Sequence, residues 1–274
     1  IGDAAVTGFS GVALLLWAAL LLPGLALAAE ARLMSYNIRY DTPADGVNAW
    51  PLRKAAVAEL LRSNSPDIFG IQEALPHQIS ELSAALPDYA WFGVGRDADG
   101  GGEGAPVFYR KDRFTLLHSA TFWLSETPDR PSRGWDAALN RICTYGQFED
   151  KLSLRRLWVI NCHFDHAGIT AGLESARLVL SRIEFINPDA EPLVLMGDFN
   201  CDLLAPEMSR LLQYTSLQVP DIVLPTFPSW AAKRSIDHIL VGGMDSSHYQ
   251  THVAAGSDHL AIALDLKLPV LTTP

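Results

Sequence analysis

Leu157-Trp158-Val159-Ile160-Asn161-Cys162-His163-Phe164-Asp165-His166 is an apolar run that turns polar over its last six residues. The run from Leu157 to Phe164 reads as a buried β-strand. Successive side chains on a strand face opposite ways, so Asn161, His163 and Asp165 share one face and Cys162 and Phe164 turn into the core. Four more strings sit, like this one, at the ends of apolar strand-like runs: Tyr36-Asn37-Ile38, Ile71-Gln72-Glu73, Gly197-Asp198-Phe199-Asn200 and Ser257-Asp258-His259. Each alone has an ordinary explanation. Gly-Asp-x-Asn is a common strand-end turn, Glu73 could cap or pair, and a lone His is usually a polar surface residue. Together they supply the carboxylates, amides and imidazoles that metal-assisted attack on a phosphate ester needs.

The alternation rule also pairs Asp198 with Asn200 and buries Phe199. Glu73 follows an apolar run, where an uncompensated carboxylate is costly, and with Asn37 it offers oxygen ligands to a hard cation such as Mg²⁺. His259 needs an orienting acid. Asp237 is the candidate, on the expectation that its strand lies beside the one starting at Leu260.

Outward from these strings, strands are expected at 32–36, 67–72, 107–109, 114–123, 141–148, 157–164, 193–196, 236–241, 249–253 and 260–266. Residues 110–113 read as a turn joining two strands, and 141–148 with 157–164 as a hairpin. Helices are expected over 51–62, 76–86 and 173–186. About ten strands with three or four helices suggest two packed mixed sheets with helices outside, the strand ends gathering the polar strings at one edge.

The chain has 274 residues, 49% of them apolar, and no repeat, low-complexity tract or linker, so residues 30–274 read as one domain. The first 29 residues differ: Ala4 to Ala29 carries no charge, and the stretch ends in Ala26-Leu27-Ala28-Ala29, a pattern like a signal-peptidase site, although no basic residue precedes it. Export is expected, with a retained membrane anchor as the alternative. The net charge of −10 and the scattered basic pairs, such as Arg53-Lys54, disfavour tight binding to nucleic acid. Cys143, Cys162 and Cys201 form neither a disulfide framework nor a zinc pattern. One pair is open to an oxidising compartment, but buried thiols are expected.

In this order the strings resemble the endonuclease/exonuclease/phosphatase superfamily, over about Arg32 to Leu268. The spacers Gly134-Trp135-Asp136-Ala137-Ala138 and Thr226-Phe227-Pro228-Ser229-Trp230 look like its bacterial members. The resemblance implies an α/β (α+β) fold, a four-layer αββα sandwich of two mixed, mostly antiparallel sheets with outer helices (DNase I-like), acting as a monomer. It implies an Mg²⁺ or Mn²⁺ site with Asn37, Glu73 and Asp258 at metal positions. It further implies catalytic roles for His163, Asp198, Asn200, Asp237 and His259, the two histidines neutralising charge on the phosphoryl oxygens. Arg141, Asp165 and His166 are implied substrate contacts. The expected reaction is hydrolysis of a phosphodiester or phosphomonoester, with nuclease and sphingomyelinase-like readings as alternatives and a silent binding module as the alternative of another class. Asn161-x-His163-x-Asp165-His166 also resembles a metallo-β-lactamase string, but Asn161 stands where that zinc site needs histidine.

Overall fold

The computed structural model describes residue 2 and residues 29–213, 216–253 and 256–268. Among these, the first sheet contains β1 (Ala29–Asn37), β2 (Ile68–Gln72), β3 (Tyr89–Phe92), β4 (Val107–Arg110), β11 (Asp245–His252) and β12 (Ala261–Leu268), in the order β11-β12-β1-β2-β4-β3. The second contains β5 (Phe114–Trp123), β6 (Ile142–Asp150), β7 (Arg156–His163), β8 (Leu193–Asp198), β9 (Leu217–Gln218) and β10 (Asp237–Gly242), in the order β5-β6-β7-β8-β10-β9. Helices α1 (Trp50–Asn64) and α2 (Pro76–Ala85) cover the first sheet, and α3 (Ile169–Ile186) and α4 (Pro206–Leu211) the second. This is the αββα sandwich.

Each sheet has a central parallel pair built by a strand-helix-strand crossover: β1-α1-β2 and β7-α3-β8. The helix must return the chain to the start of the next strand, so both strands of a pair finish at the same edge. That brings Asn37 and Glu73 together in one sheet and His163 and Asp198 in the other. Alternation sorts the core. Leu33, Val159, Val194, Ile239 and Leu264 fill the space between the sheets, whereas Met34 and Tyr36 turn outward under α1 and α2, and Cys162 and Phe164 toward α3.

At the site end the apolar inner layer gives way to a polar one. Asn161 reaches across the sandwich, donating from Nδ2 to the carbonyls of Ile71 (2.9 Å) and Pro106 (3.0 Å) and accepting from Gln72 Nε2 (2.6 Å). A Cβ on Gly70 would stand 2.5 Å from Asn161 Cγ, so only glycine admits this contact.

Several expectations change. The turn at 110–113 joins two strands as expected, and these belong to opposite sheets, so the chain crosses the sandwich there. The short strands β3 and β9 are additions, too brief for a periodic signal. β10 does not neighbour β12; it pairs with β8 and β9 in the other sheet. Two of the three expected thiols form a disulfide, Cys143–Cys162, because the β6–β7 register sets the two residues directly opposite with Cα atoms 4.2 Å apart. Cys201 is free. The proposed leader or anchor, apart from Gly2 and Ala29, lies outside the described residues; Ala29 pairs with Leu268 in β1. Among the described residues no helix is long and apolar enough to cross a membrane.

Candidate active site

The five strings converge on one edge of the sandwich around Asp198, which ends β8 and is 1% exposed. Its Oδ1 accepts the backbone N–H of Asn200 (2.9 Å), and its Oδ2 accepts Asn37 Nδ2 (2.9 Å). His163 Nε2 and His259 Nε2 stand 3.6 and 3.8 Å from the same Oδ2. Burial, then the neighbouring Asp237, pushes the Asp198 carboxyl well above the usual carboxylate range, against the opposing pull of His259 and Asn37.

Asn37 joins the two halves. Its amide nitrogen also donates to Glu73 Oε1 (3.0 Å), while its oxygen accepts the Arg39 N–H (2.9 Å). Glu73 and Asn200 both adopt left-handed backbone (φ 61° and 53°), a conformation that non-glycine residues hold only where surrounding structure demands it. In both cases the chain has just left a strand: Glu73 brings its carboxylate to the Asn37 amide, and Asn200 brings its backbone N–H to Asp198 while its Nδ2 donates to the Phe164 carbonyl (3.0 Å).

His259 Nδ1 lies 2.9 Å from Asp237 Oδ2. Burial opposes a charge on the ring, but Asp237 and Asp198 outweigh it and hold the imidazole protonated well above its ordinary range. The Phe227 ring packs on His259, with centroids 4.9 Å apart. His163 is the opposite case. Burial, then the Arg141 guanidinium with Nη1 at 3.1 and 3.0 Å from the two ring nitrogens, drives it well below the usual histidine range. The two imidazoles therefore differ: their surroundings favour the charged form of His259 and the neutral form of His163.

Arg141 is buried between His163 and the exposed His166, whose Nδ1 is 3.0 Å from Nη2. Asp165 sits behind it. Its carboxylate accepts the backbone N–H groups of Ala138 (3.1 Å), Ala167 (3.0 Å) and Gly168 (2.8 Å), so it organises two loops. Asp258 pairs with the Arg39 guanidinium, which Asp45 also holds at 2.7 Å. Among the described residues it stands outside both groups able to hold a metal ion, Glu73–His163–Asp198 and Asp198–Asp237–His259.

Three contributors escape sequence reasoning. Arg53 is 5% exposed and clamps the loop after β1, bonding the carbonyls of Ile38, Arg39, Tyr40, Asn48 and Gly256. Glu103 binds Arg96 (2.7 Å) and lies 3.7 Å from Arg141; burial and Glu73 raise its pKa despite those arginines. Arg39, half-buried and paired with Asp258, is the third. Only the glycines of Asp99-Gly100-Gly101-Gly102-Glu103-Gly104 hint at a tight loop there.

Two carboxyl groups, Glu73 and Asp198, converge on one amide and supply oxygen donors, and the burial that disfavours charge on Asp198 is relieved by a bound cation. That set fits a hard divalent cation.

A model of the Endonuclease/Exonuclease/phosphatase family matches residues 34–259. The chain belongs to that family, a class of metal-dependent hydrolases of phosphate esters. It is similar to the structure of a mannosyl-6-phosphatase from Bacteroides thetaiotaomicron, with 32% identity and a TM-score of 0.81, covering 86% of this chain and 99% of that one. A family member from Bacteroides vulgatus is 35% identical, with a TM-score of 0.82, 88% of this chain and all of that one being covered. The chain also matches a protein of Acanthamoeba polyphaga mimivirus at 28% identity over 180 residues, which is 60% of this chain and 63% of that one. It spans 29% of a second mimivirus protein.

Proposed function

We propose that this protein is a phosphomonoesterase that releases inorganic phosphate from a phosphorylated sugar. The carrying observation is the convergence of His163 and His259 on the Asp198 carboxylate, with the Arg141 guanidinium against His163: a compact, mostly buried set suited to one terminal phosphoryl group. The similarity to a mannosyl-6-phosphatase over nearly all of that protein supports the sugar, and the net charge of −10 weighs against a polyanionic substrate.

Glu73 and Asp198 would hold the cation, Mg²⁺ or Mn²⁺, with Asn37 orienting both carboxylates. When bound, it would supply Lewis-acid polarisation of the phosphoryl group and neutralise charge. The chain's own residues do the rest. Asp198, positioned by Asn200, orients the attacking water and accepts its proton. Cationic His259, oriented by Asp237, and the Arg141 guanidinium donate to phosphoryl oxygens as charge builds. Preorganised donors of this kind are worth about 2.7–4 kcal/mol each. Neutral His163 contributes a hydrogen bond rather than a charge. Water's oxygen bonds to phosphorus, the ester P–O bond breaks, and a proton passes to the sugar oxygen. The Cys143–Cys162 disulfide supports export to an oxidising compartment.

The test is phosphate release from mannose 6-phosphate with Mg²⁺ or Mn²⁺, beside bis-p-nitrophenyl phosphate, a chelator control and His259→Ala. Metal-dependent monoester turnover lost in the variant is expected. Turnover of the diester alone would overturn the reading.

A further inference from the structure

We propose that a cavity beside the catalytic cluster binds the glycan portion of the substrate beyond its phosphorylated sugar, with Trp230 as the stacking platform; this rests on the sugar-phosphatase reading above. The cavity measures about 580 Å³ and lies between the start of α1, the turn at 228–230 and residues 256–258. That volume falls within the range of about 300–1,000 Å³ typical of ligand sites and exceeds what one pyranose ring fills.

Its wall continues into the catalytic centre. Asp258 lines it and is followed directly by His259. Ser257, also on the wall, donates from Oγ to the Asn37 carbonyl (2.6 Å). Trp230 is 76% exposed and lines the cavity. The turn that carries it is pinned twice to the site: Phe227 packs on the His259 ring, and the Ser229 N–H donates to the Asp258 carbonyl (2.6 Å). The backbone that carries the indole is therefore fixed beside the site, and the ring stays open to solvent.

The chemistry of the lining selects among occupants. The Arg39–Asp258 ion pair offers fixed donors and acceptors, and the indole a flat apolar face. A carbohydrate presents both complements, hydroxyl groups for the ion pair and a C–H face for the indole. An acyl chain would find apolar contacts at Val47, Leu52 and Val253, but it would desolvate the Arg39–Asp258 ion pair and offer no hydrogen bond in return. A nucleic-acid strand would bring further phosphates toward an acidic chain.

The experiment compares phosphate release from mannose 6-phosphate and from a mannobiose phosphorylated at the same position, for wild type, Trp230→Ala and Trp230→Phe, each with Mg²⁺. The wild type is expected to favour the disaccharide in kcat/KM by about tenfold or more, within the range that a single well-shaped contact yields. Trp230→Ala should collapse that ratio, mainly through KM, and Trp230→Phe should largely keep it. Equal kcat/KM on the two substrates in the wild type, or an unchanged ratio in Trp230→Ala, would overturn the inference while leaving the sugar-phosphatase reading intact. Turnover confined to bis-p-nitrophenyl phosphate or to phospholipid vesicles would instead sink that reading, and this inference with it.

Discussion

His259 Nδ1 lies 2.9 Å from Asp237 Oδ2, although the two residues stand at the entrances to strands of opposite sheets. The contact sets the charge of the imidazole and at the same time ties the two halves of the sandwich together at the site. Asp237→Asn keeps the shape and removes the charge. The imidazole pKa should fall, so the alkaline limb of the pH–rate profile should move to lower pH. The loss in kcat/KM at neutral pH should reach about 10²-fold or more, as when a buried orienting carboxylate is neutralised in other catalytic histidine pairs. Circular dichroism should show an unchanged fold.

Metal dependence gives a readout independent of turnover. A ligand bound only by the folded state stabilises it by RT ln(1 + [L]/Kd), about 2.7 kcal/mol at 100 Kd. Mn²⁺ or Mg²⁺ should therefore raise the melting temperature of the wild type. Glu73→Gln should weaken that shift strongly, and a chelator should abolish it. Equal shifts in the variant and the wild type would remove Glu73 from the metal site.

Gly70→Ala tests the polar bridge between the sheets. The added methyl would meet Asn161 at 2.5 Å, and the neighbouring groups are tied to backbone carbonyls on both sides. Overpacking of this sort costs about 1–3 kcal/mol. Denaturant unfolding should show it, with activity reduced because His163 lies two residues beyond Asn161.

The disulfide predicts one reactive thiol, Cys201, in the denatured unreduced protein and three after reduction. Cys143→Ala with Cys162→Ala should lower stability by about 3 kcal/mol, the loop-closure contribution for a bridge of this span. Because Arg141 and His163 lie within two residues of the bridge on β6 and β7, a rise in KM should accompany the loss.

His238 makes stability depend on pH. Burial, outweighing its contact to the Cys201 carbonyl (2.9 Å) and the nearby carboxylates, holds its pKa below the ordinary 6.5. Below pH 6.5 the unfolded chain takes up a proton that the folded protein refuses, so stability falls from there down to the folded pKa and then levels. His238→Asn should flatten that slope in unfolding measurements between pH 6.5 and 5.

How far the site was legible follows from where each signal resides. Asn37, Glu73, His163 and Asp198 each end an apolar run and His259 precedes one, so a local pattern announces them and their order joins them. The pairing of Cys143 with Cys162 depends on strand register, which periodicity leaves open. Arg53 reads as half of a surface basic pair because its partners are backbone carbonyls up to 203 residues away, which carry no residue-type signature. Asp237 is expected to meet His259 through adjacent strands, whereas it reaches that histidine from the facing sheet, a contact that strand periodicity does not encode. Asp165 carries the correct polarity but turns it inward, because neighbouring backbone N–H groups claim its oxygens.

The two crossovers leave the molecule with unequal ends. Every proposed catalytic group sits where β1, β2, β7 and β8 finish or where β6, β10 and β12 begin. The turns at 111–113, 151–155 and 243–244 lie at the opposite pole, and Leu152 and Leu154 there already face solvent. That pole is the natural place for an affinity tag, a fluorophore or an inserted module, since changes there reach the chemistry only through the full length of the strands.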